Sequence, residues 1–202
     1  MAESGIQVLV ICGASGTGKT STAFEIGRVL QDLGIRHALI DTDELDRVWP
    51  RPEPVEALIG ISRRNLSAWW ANFSELGVRH LVLCGVMASV TQSDRWIAEA
   101  VIGAHISFVR LSAARNTREE RLRRREIGSG FEDEMLSSDR AAAYADAHDS
   151  AEVRRIATDA KGIDLVAREV LEVVGWARYR DASVHCRRVG GIQRHRGSDG
   201  AE

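Results

Sequence analysis

The sequence predicts an α/β protein of three layers, α/β/α, with a parallel sheet between two layers of helices. Two observations carry this. Short runs rich in Val, Ile and Leu alternate along the chain with segments whose apolar residues recur at helical spacing. That alternation builds a parallel sheet covered on both faces. The first apolar run also passes directly into a glycine-rich stretch and then a helical pattern, a strand–loop–helix unit.

The elements follow in order. Ile6 to Cys12 reads IQVLVIC, a buried strand, and Gly13 to Gly18 form a loop. Ala23, Ile26, Leu30 and Leu33 mark a helix that Gly34 stops. Ala38 to Asp41 is a second strand. Arg47 to Pro54 holds all three prolines and reads as an irregular connection. Leu66, Trp69, Phe73 and Leu76 line one face of a helix ended by Gly77, with Arg63, Arg64 and Asn65 before it. On this reading Trp69, rather than Trp70, is the buried indole. Leu81 to Val86 is a third strand. Ser93 is placed to cap a helix carrying Trp96, Ile97, Ala100 and Val101. Ile106 to Leu111 is a fourth strand. Thr117 and Glu120 have the spacing of a capping box at the start of a very basic helix. Residues 131–148 make a polar helix, Arg155 to Thr158 a fifth strand, and Val166, Val170, Leu171 and Val174 a last helix.

A chain of 202 residues fits one domain. That domain is expected over residues 1–176, with residues 177–202 as a disordered basic tail. After Trp176 there are six arginines against three acids, although the whole chain carries a net charge of -2. The domain has no basic groove, which disfavours nucleic acid as a partner. Cys12, Cys84 and Cys186 show no CxxC spacing, so the reading is a reduced, cytoplasmic protein. No apolar run approaches the ~18 residues of a membrane span, and the N-terminus MAESGIQ lacks a signal pattern.

The chemistry begins at Gly13-Ala14-Ser15-Gly16-Thr17-Gly18-Lys19-Thr20, which fits GxxxxGK[ST] at every position. Glycines let backbone N–H groups turn inward around an anion, and the following helix aims its positive end at the same point. Lys19 reaches outer phosphates and the Thr20 hydroxyl can ligate magnesium. A chance match in a chain this long is on the order of one in a hundred, and this one also sits between a strand and a helix. Gly13 to Thr20, with Ser21, are therefore the candidate nucleotide-binding residues.

Asp41-Thr42-Asp43 ends the second strand. Ligands of open parallel sheets bind beyond the carboxyl ends of the strands. Both acids are thus expected near the phosphates, Asp41 toward the magnesium and Asp43 toward an incoming hydroxyl. The alternative is a pair of turn residues capping the next helix. After the fourth strand comes Arg115-Asn116-Thr117-Arg118-Glu119-Glu120-Arg121-Leu122-Arg123-Arg124-Arg125. Arg121 and Arg125 share one helical face and are candidates for nucleotide and transition-state charge, with Arg118 and Arg124 elsewhere on the helix. The alternative is a solvated face balanced by Glu119, Glu120 and Glu126. Gly128 and Gly130 are candidate hinges for this segment.

A phosphate loop, D-x-D after strand two and a late Arg-rich helix together resemble the P-loop small-molecule kinases: the shikimate, gluconate and adenylylsulfate kinase group, with chloramphenicol phosphotransferase as a further relative. The resemblance covers roughly residues 6–176 as an order of elements and is carried by those three motifs. It implies a P-loop NTPase fold with five parallel strands in the order 2-3-1-4-5, an Arg-rich lid, and ATP and Mg2+ as ligands. It implies that Asp41 lies by magnesium, that Asp43 binds the acceptor hydroxyl, and that Arg121 faces the base while Arg125 faces the phosphates. Strand three ends Cys84-Gly85-Val86, without the glycine triplet of shikimate kinase and without a Walker B acid. The acceptor is thus not expected to be shikimate.

The expected function is ATP-dependent transfer of the γ-phosphate to a hydroxyl of a small molecule, with Lys19, Asp43, Arg121 and Arg125 as catalytic residues and Thr20 and Asp41 at the metal. The alternatives are a nucleotide-binding accessory or switch protein with slow ATP hydrolysis, and a kinase of nucleic-acid 5′ ends.

Overall fold

A computed structural model of the chain describes residues 5–87, 89–125, 130–149 and 153–177. Five strands form one sheet: β1 Ile6–Cys12, β2 His37–Asp41, β3 His80–Gly85, β4 Ala104–Ser112 and β5 Arg154–Ala157. Their spatial order is β2-β3-β1-β4-β5, and every pairing is parallel. This is the P-loop NTPase arrangement that the sequence led us to expect.

The run IQVLVIC explains why β1 is central. Its residues Val8 to Cys12 are fully buried, because a middle strand of a parallel sheet has helices on both faces. Alternate side chains serve two cores. Val8, Val10 and Cys12 pack with Leu81 and Leu83 beneath Leu66 and Trp70 of α2 (Val55–Glu75) and Ile97 and Ala100 of α3 (Val90–Ala100). Leu9 and Ile11 pack with Val82, Val109 and Leu111 beneath Ile26 and Leu30 of α1 (Lys19–Asp32) and Val166, Val170 and Leu171 of α6 (Ile163–Val173). Each such aliphatic side chain stabilises the fold by roughly 1.5–3 kcal/mol when fully buried. Helices α4 (Arg115–Arg125) and α5 (Phe131–His148) follow β4 and pack against each other.

Several local expectations are corrected. Helix α2 begins at Val55, so Arg63, Arg64 and Asn65 lie inside it. The longer helix sets its own phase: Leu58, Ser62, Leu66 and Trp70 are buried at four-residue spacing, while Trp69 is 39% exposed. Trp70 is therefore the core indole. Helix α3 is capped by Ser89, whose side chain accepts from the Gln92 N–H, and Ser93 lies buried one turn inside. Helix α4 starts two residues before Thr117. Its first turn is held from elsewhere in the chain: the Asp159 carboxylate accepts from the Ala114 N–H at 3.0 Å and the Thr117 hydroxyl at 2.7 Å. The Thr117 hydroxyl, ahead of that backbone N–H, holds Asp159 below the usual carboxylate range.

Cys12 and Cys84 are buried free thiols. No helix among the described residues is long and apolar enough to cross a membrane. Cys186, Gly128, Glu126 and residues 178–202, which include nearly all of the expected tail, lie outside the described residues.

Candidate active site

The loop from Gly13 to Gly18 joins the end of β1 to the start of α1. Gly13, Gly16 and Gly18 carry φ of 148°, 81° and 93°. Two of them are also forced by close approach. A Cβ on Gly13 would stand 2.4 Å from the Leu111 carbonyl oxygen, and one on Gly16 would stand 2.8 Å from that of Arg118. The loop is thus wedged between β4 and α4. Inside it, the Thr17 hydroxyl donates to the Ala14 carbonyl at 2.8 Å, and the Lys19 ammonium donates to the same oxygen at 3.1 Å. Burial draws the Lys19 pKa down from its ordinary value, against the pull of Asp43 above all other charges.

Asp41 ends β2, and the chain then tightens into a single 3-10 turn, Thr42–Glu44. Asp41 caps that turn. One carboxylate oxygen accepts from the Asp43 N–H at 3.1 Å and the other from the Thr20 hydroxyl at 3.2 Å. Two hard oxygen donors, Thr20 and Asp41, are therefore side by side at the mouth of the loop. The turn also means that Asp41 and Asp43 do not share one face, as residues two apart on an extended strand would. Asp43 instead lines a different cavity from Thr20. Protein crowded around its carboxyl, followed by the Asp41 charge, raises the Asp43 pKa, with Lys19 opposing.

Cys84 stands where a Walker B acid is often found. Burial, then Asp41, pushes its thiol up to about 12, so it stays neutral beside Thr20 and Asp41. Gly85 follows for a steric reason: a Cβ there would fall 1.9 Å from the Thr42 hydroxyl oxygen. The absence of a side chain lets the Asp-Thr-Asp turn lie over the end of β3, where the Thr42 hydroxyl donates to the Cys84 carbonyl at 3.2 Å.

On the other side, Arg121 and Arg125 line one cavity of about 550 Å³ with Gly16 to Thr22, Leu122, Thr158, Lys161, Ile163 and Val166. The Arg121 guanidinium donates to the Gly16 carbonyl at 3.2 Å and to the hydroxyl and carbonyl of Thr158, both at 2.9 Å. Arg125 reaches Glu134 of α5 at 3.4 Å. Gly130, one of the two candidate hinges, has ordinary right-handed angles (φ -79°, ψ -6°) at the start of α5.

Arg63, Arg64 and Asn65 do not enter either cavity. Arg63 pairs with Glu99 of α3 at 2.8 Å, and the Asn65 amide donates to the Leu45 carbonyl at 2.6 Å.

Sequence reasoning missed Arg118, Ser138 and Thr158. Arg118 is buried at 5% exposure, with its backbone against Gly16. Its guanidinium donates to the Ser138 hydroxyl and, at 2.8 Å, to Asp139. Ser138 in turn donates to the Ser15 carbonyl at 2.8 Å. Thr158 donates toward the Thr17 carbonyl at 3.1 Å. The outer surface of the loop is thus fastened to α4, α5 and the segment after β5. We expect Arg118→Ala to leave the buried Ser138 hydroxyl short of its donor, costing about 1–3 kcal/mol of stability. It should also weaken triphosphate binding more than Arg124→Ala, whose parent side chain is an exposed partner of Glu120. Thermal unfolding and nucleotide titration of the two variants check this; equal affinities would mean that Arg118 supports the fold only.

No protein-family model matches the chain, and no curated protein matches it. Solved structures do. The chain is similar to a gluconokinase from Sinorhizobium meliloti at 18% identity, covering 85% of this chain and 92% of that one, with a TM-score of 0.54. It is similar to the tunicamycin resistance protein of Deinococcus radiodurans at 15% identity, covering 84% and 96%, with a TM-score of 0.57. APE1195 matches at 18% identity over 85% and 96%, with a TM-score of 0.55. At these identities the common property is the fold. The class so defined is the P-loop NTPase fold.

Proposed function

We propose that this protein is an ATP-dependent kinase that transfers the γ-phosphate to a hydroxyl group of a small molecule. The observation that carries the proposal is the division of the site. The phosphate loop separates two cavities that share no lining residue. One holds the loop lysine, Arg121 and Arg125. The other holds Asp43 and opens beside Ser15 at the loop's tip. A nucleotide hydrolase needs only the first. A kinase needs a second chamber with a carboxylate at the boundary, and the likeness in fold to a gluconokinase agrees with that reading.

The residues fit a magnesium triphosphate. The glycine conformations at 13, 16 and 18 leave a cradle without side chains at the N-terminus of α1, where the helix favours an anion. Gly13 to Thr20 and Ser21 would line the phosphates. Lys19 would exchange its bond to Ala14 for the outer phosphates. Thr20 and Asp41 offer the oxygen ligands that magnesium prefers, alongside phosphate oxygens and water. When bound, the metal supplies positive charge to the phosphate oxygens. Leu122, Ile163 and Val166 give the first cavity apolar walls for a base.

The proposed step balances simply. The bond between the γ-phosphorus and the bridging oxygen of ADP breaks, a bond to the alcohol oxygen forms, and the alcohol proton passes to Asp43. Arg121 and Arg125 stand on the nucleotide side, where charge develops. Asp43, with its raised pKa, is closer in basicity to a useful proton acceptor than an ordinary aspartate. The test is ATP consumption against polyols, sugars, nucleosides, amino alcohols and 5′-hydroxyl oligonucleotides. Acceptor-stimulated ADP formation with a small alcohol supports the kinase. Stimulation by oligonucleotides alone would make it an end-processing kinase.

A further inference from the structure

We infer that the acceptor is an uncharged or singly cationic alcohol with a flat apolar face, which stacks on Trp49 and presents its hydroxyl to Asp43. This rests on the kinase reading above and concerns the second chamber of the same site. That chamber measures about 690 Å³, ample for one small molecule.

Its charge balance argues against an anionic acceptor. Three carboxylates line it, Asp43, Asp46 and Glu134, against two guanidinium groups, Arg47 and Arg51. Both arginines already face acids: Arg47 pairs with Glu44 at 2.6 Å, and Arg51 approaches Asp46 at 4.0 Å. Glu134 is held by Arg125 at 3.4 Å, so a carboxylate, sulfate or phosphate on the acceptor would have to draw an arginine from its partner and then sit beside Asp43 and Asp46. A neutral molecule meets no such penalty. An amine meets a favourable field.

The apolar part of the lining is Val48 and Trp49, neighbours in one segment, with Val86 just after β3. Val48 and Val86 are each 43% exposed and Trp49 is 88% exposed. An indole left this open beside a chamber is a platform for a flat partner, and its face attracts cations as well. The rest of the lining is polar: Ser15 at the tip of the phosphate loop and Ser137 of α5 are hydroxyl groups. A molecule lying on Trp49 would thus place its polar edge toward Asp43 and the loop. During transfer its hydroxyl oxygen bonds to the γ-phosphorus of ATP, ADP leaves, and the hydroxyl proton goes to Asp43.

The test compares five acceptors with wild type, Trp49→Ala and Trp49→Phe. Gluconate and shikimate are anionic, ribitol is neutral without a flat face, uridine is neutral with one, and 2-amino-1-phenylethanol is cationic with one. We expect uridine or the amino alcohol to show the highest kcat/KM. Trp49→Ala should raise KM for that acceptor by about tenfold, the scale of a lost stacking contact. Trp49→Phe should restore it, and ATP affinity should be unchanged in both variants. Preference for gluconate, shikimate or ribitol would overturn this inference while leaving a kinase. So would a KM indifferent to Trp49→Ala. Nucleotide binding with no transfer to any of the five would overturn both the inference and the kinase reading for small alcohols.

Discussion

Lys19→Ala is expected to cripple productive binding of a nucleoside triphosphate. The Lys19 ammonium is already inside the loop, 3.1 Å from the Ala14 carbonyl and under the influence of Asp43 and Asp41. Arg121 is committed to the Gly16 carbonyl and to Thr158. No other cation of the loop can replace the lysine. A hydrogen bond to a charged group contributes about 1.5–3 kcal/mol, so affinity should fall by roughly 10- to 100-fold. Turnover should fall further, because the same charge meets the transferred group in the transition state, an effect of about 10²–10³. Calorimetric titration with magnesium ATP, followed by single-turnover kinetics, checks both values. Unchanged affinity and turnover would remove the phosphate loop from the mechanism.

Asp43→Asn is expected to separate transfer from binding. The amide keeps the shape of the carboxylate but cannot receive a proton. Loss of a general base costs about 10²–10⁴ in rate. ATP affinity should stay within a few-fold of wild type, since Asp43 lines the second chamber and not the first. A pH profile adds a check with a definite sign. Asp43 must be deprotonated to act, and its pKa is raised, first by the crowding of its carboxyl and then by Asp41. Wild-type transfer should therefore decline as pH falls through a value above the usual aspartate range. In Asp43→Asn that acid limb should disappear. A wild-type rate in the variant would leave Asp43 as a turn residue only.

The parts of the site that were legible in the sequence are those made by neighbours in the chain. The loop, Lys19, Thr20 and the Asp-Thr-Asp turn lie within two short segments directly after strands, and the sheet delivers them to one end. Arg121 and Arg125 were legible because four-residue spacing on a helix puts side chains on one face, and they do line one cavity. Arg118 was not legible. Its role depends on α5 returning with Ser138 and Asp139, about twenty residues later, and on Gly16 lying under its backbone. The cap of α4 was misread for the same reason: Asp159 holds Thr117 from 42 residues away. The tryptophan face was misread because Leu58 and Ser62, which fix the phase of α2, follow a proline-rich stretch that hides the true start of the helix. The second chamber draws on the Asp43–Arg51 segment, Ser15, Val86 and α5, and no local pattern announces that meeting.

The most direct measurement follows the γ-phosphate itself. Wild-type protein is incubated with magnesium and ATP labelled at the γ position, with the acceptor that most stimulates ADP formation, and the label is divided between organic ester and inorganic phosphate. A kinase that uses Asp43 to receive the alcohol proton places the label in a phosphate ester of that acceptor, in equal amount to the ADP formed, and Asp43→Asn loses the ester while still binding ATP. Label appearing only as inorganic phosphate, at the same rate with and without Asp43, would contradict the account and describe a nucleotide hydrolase instead.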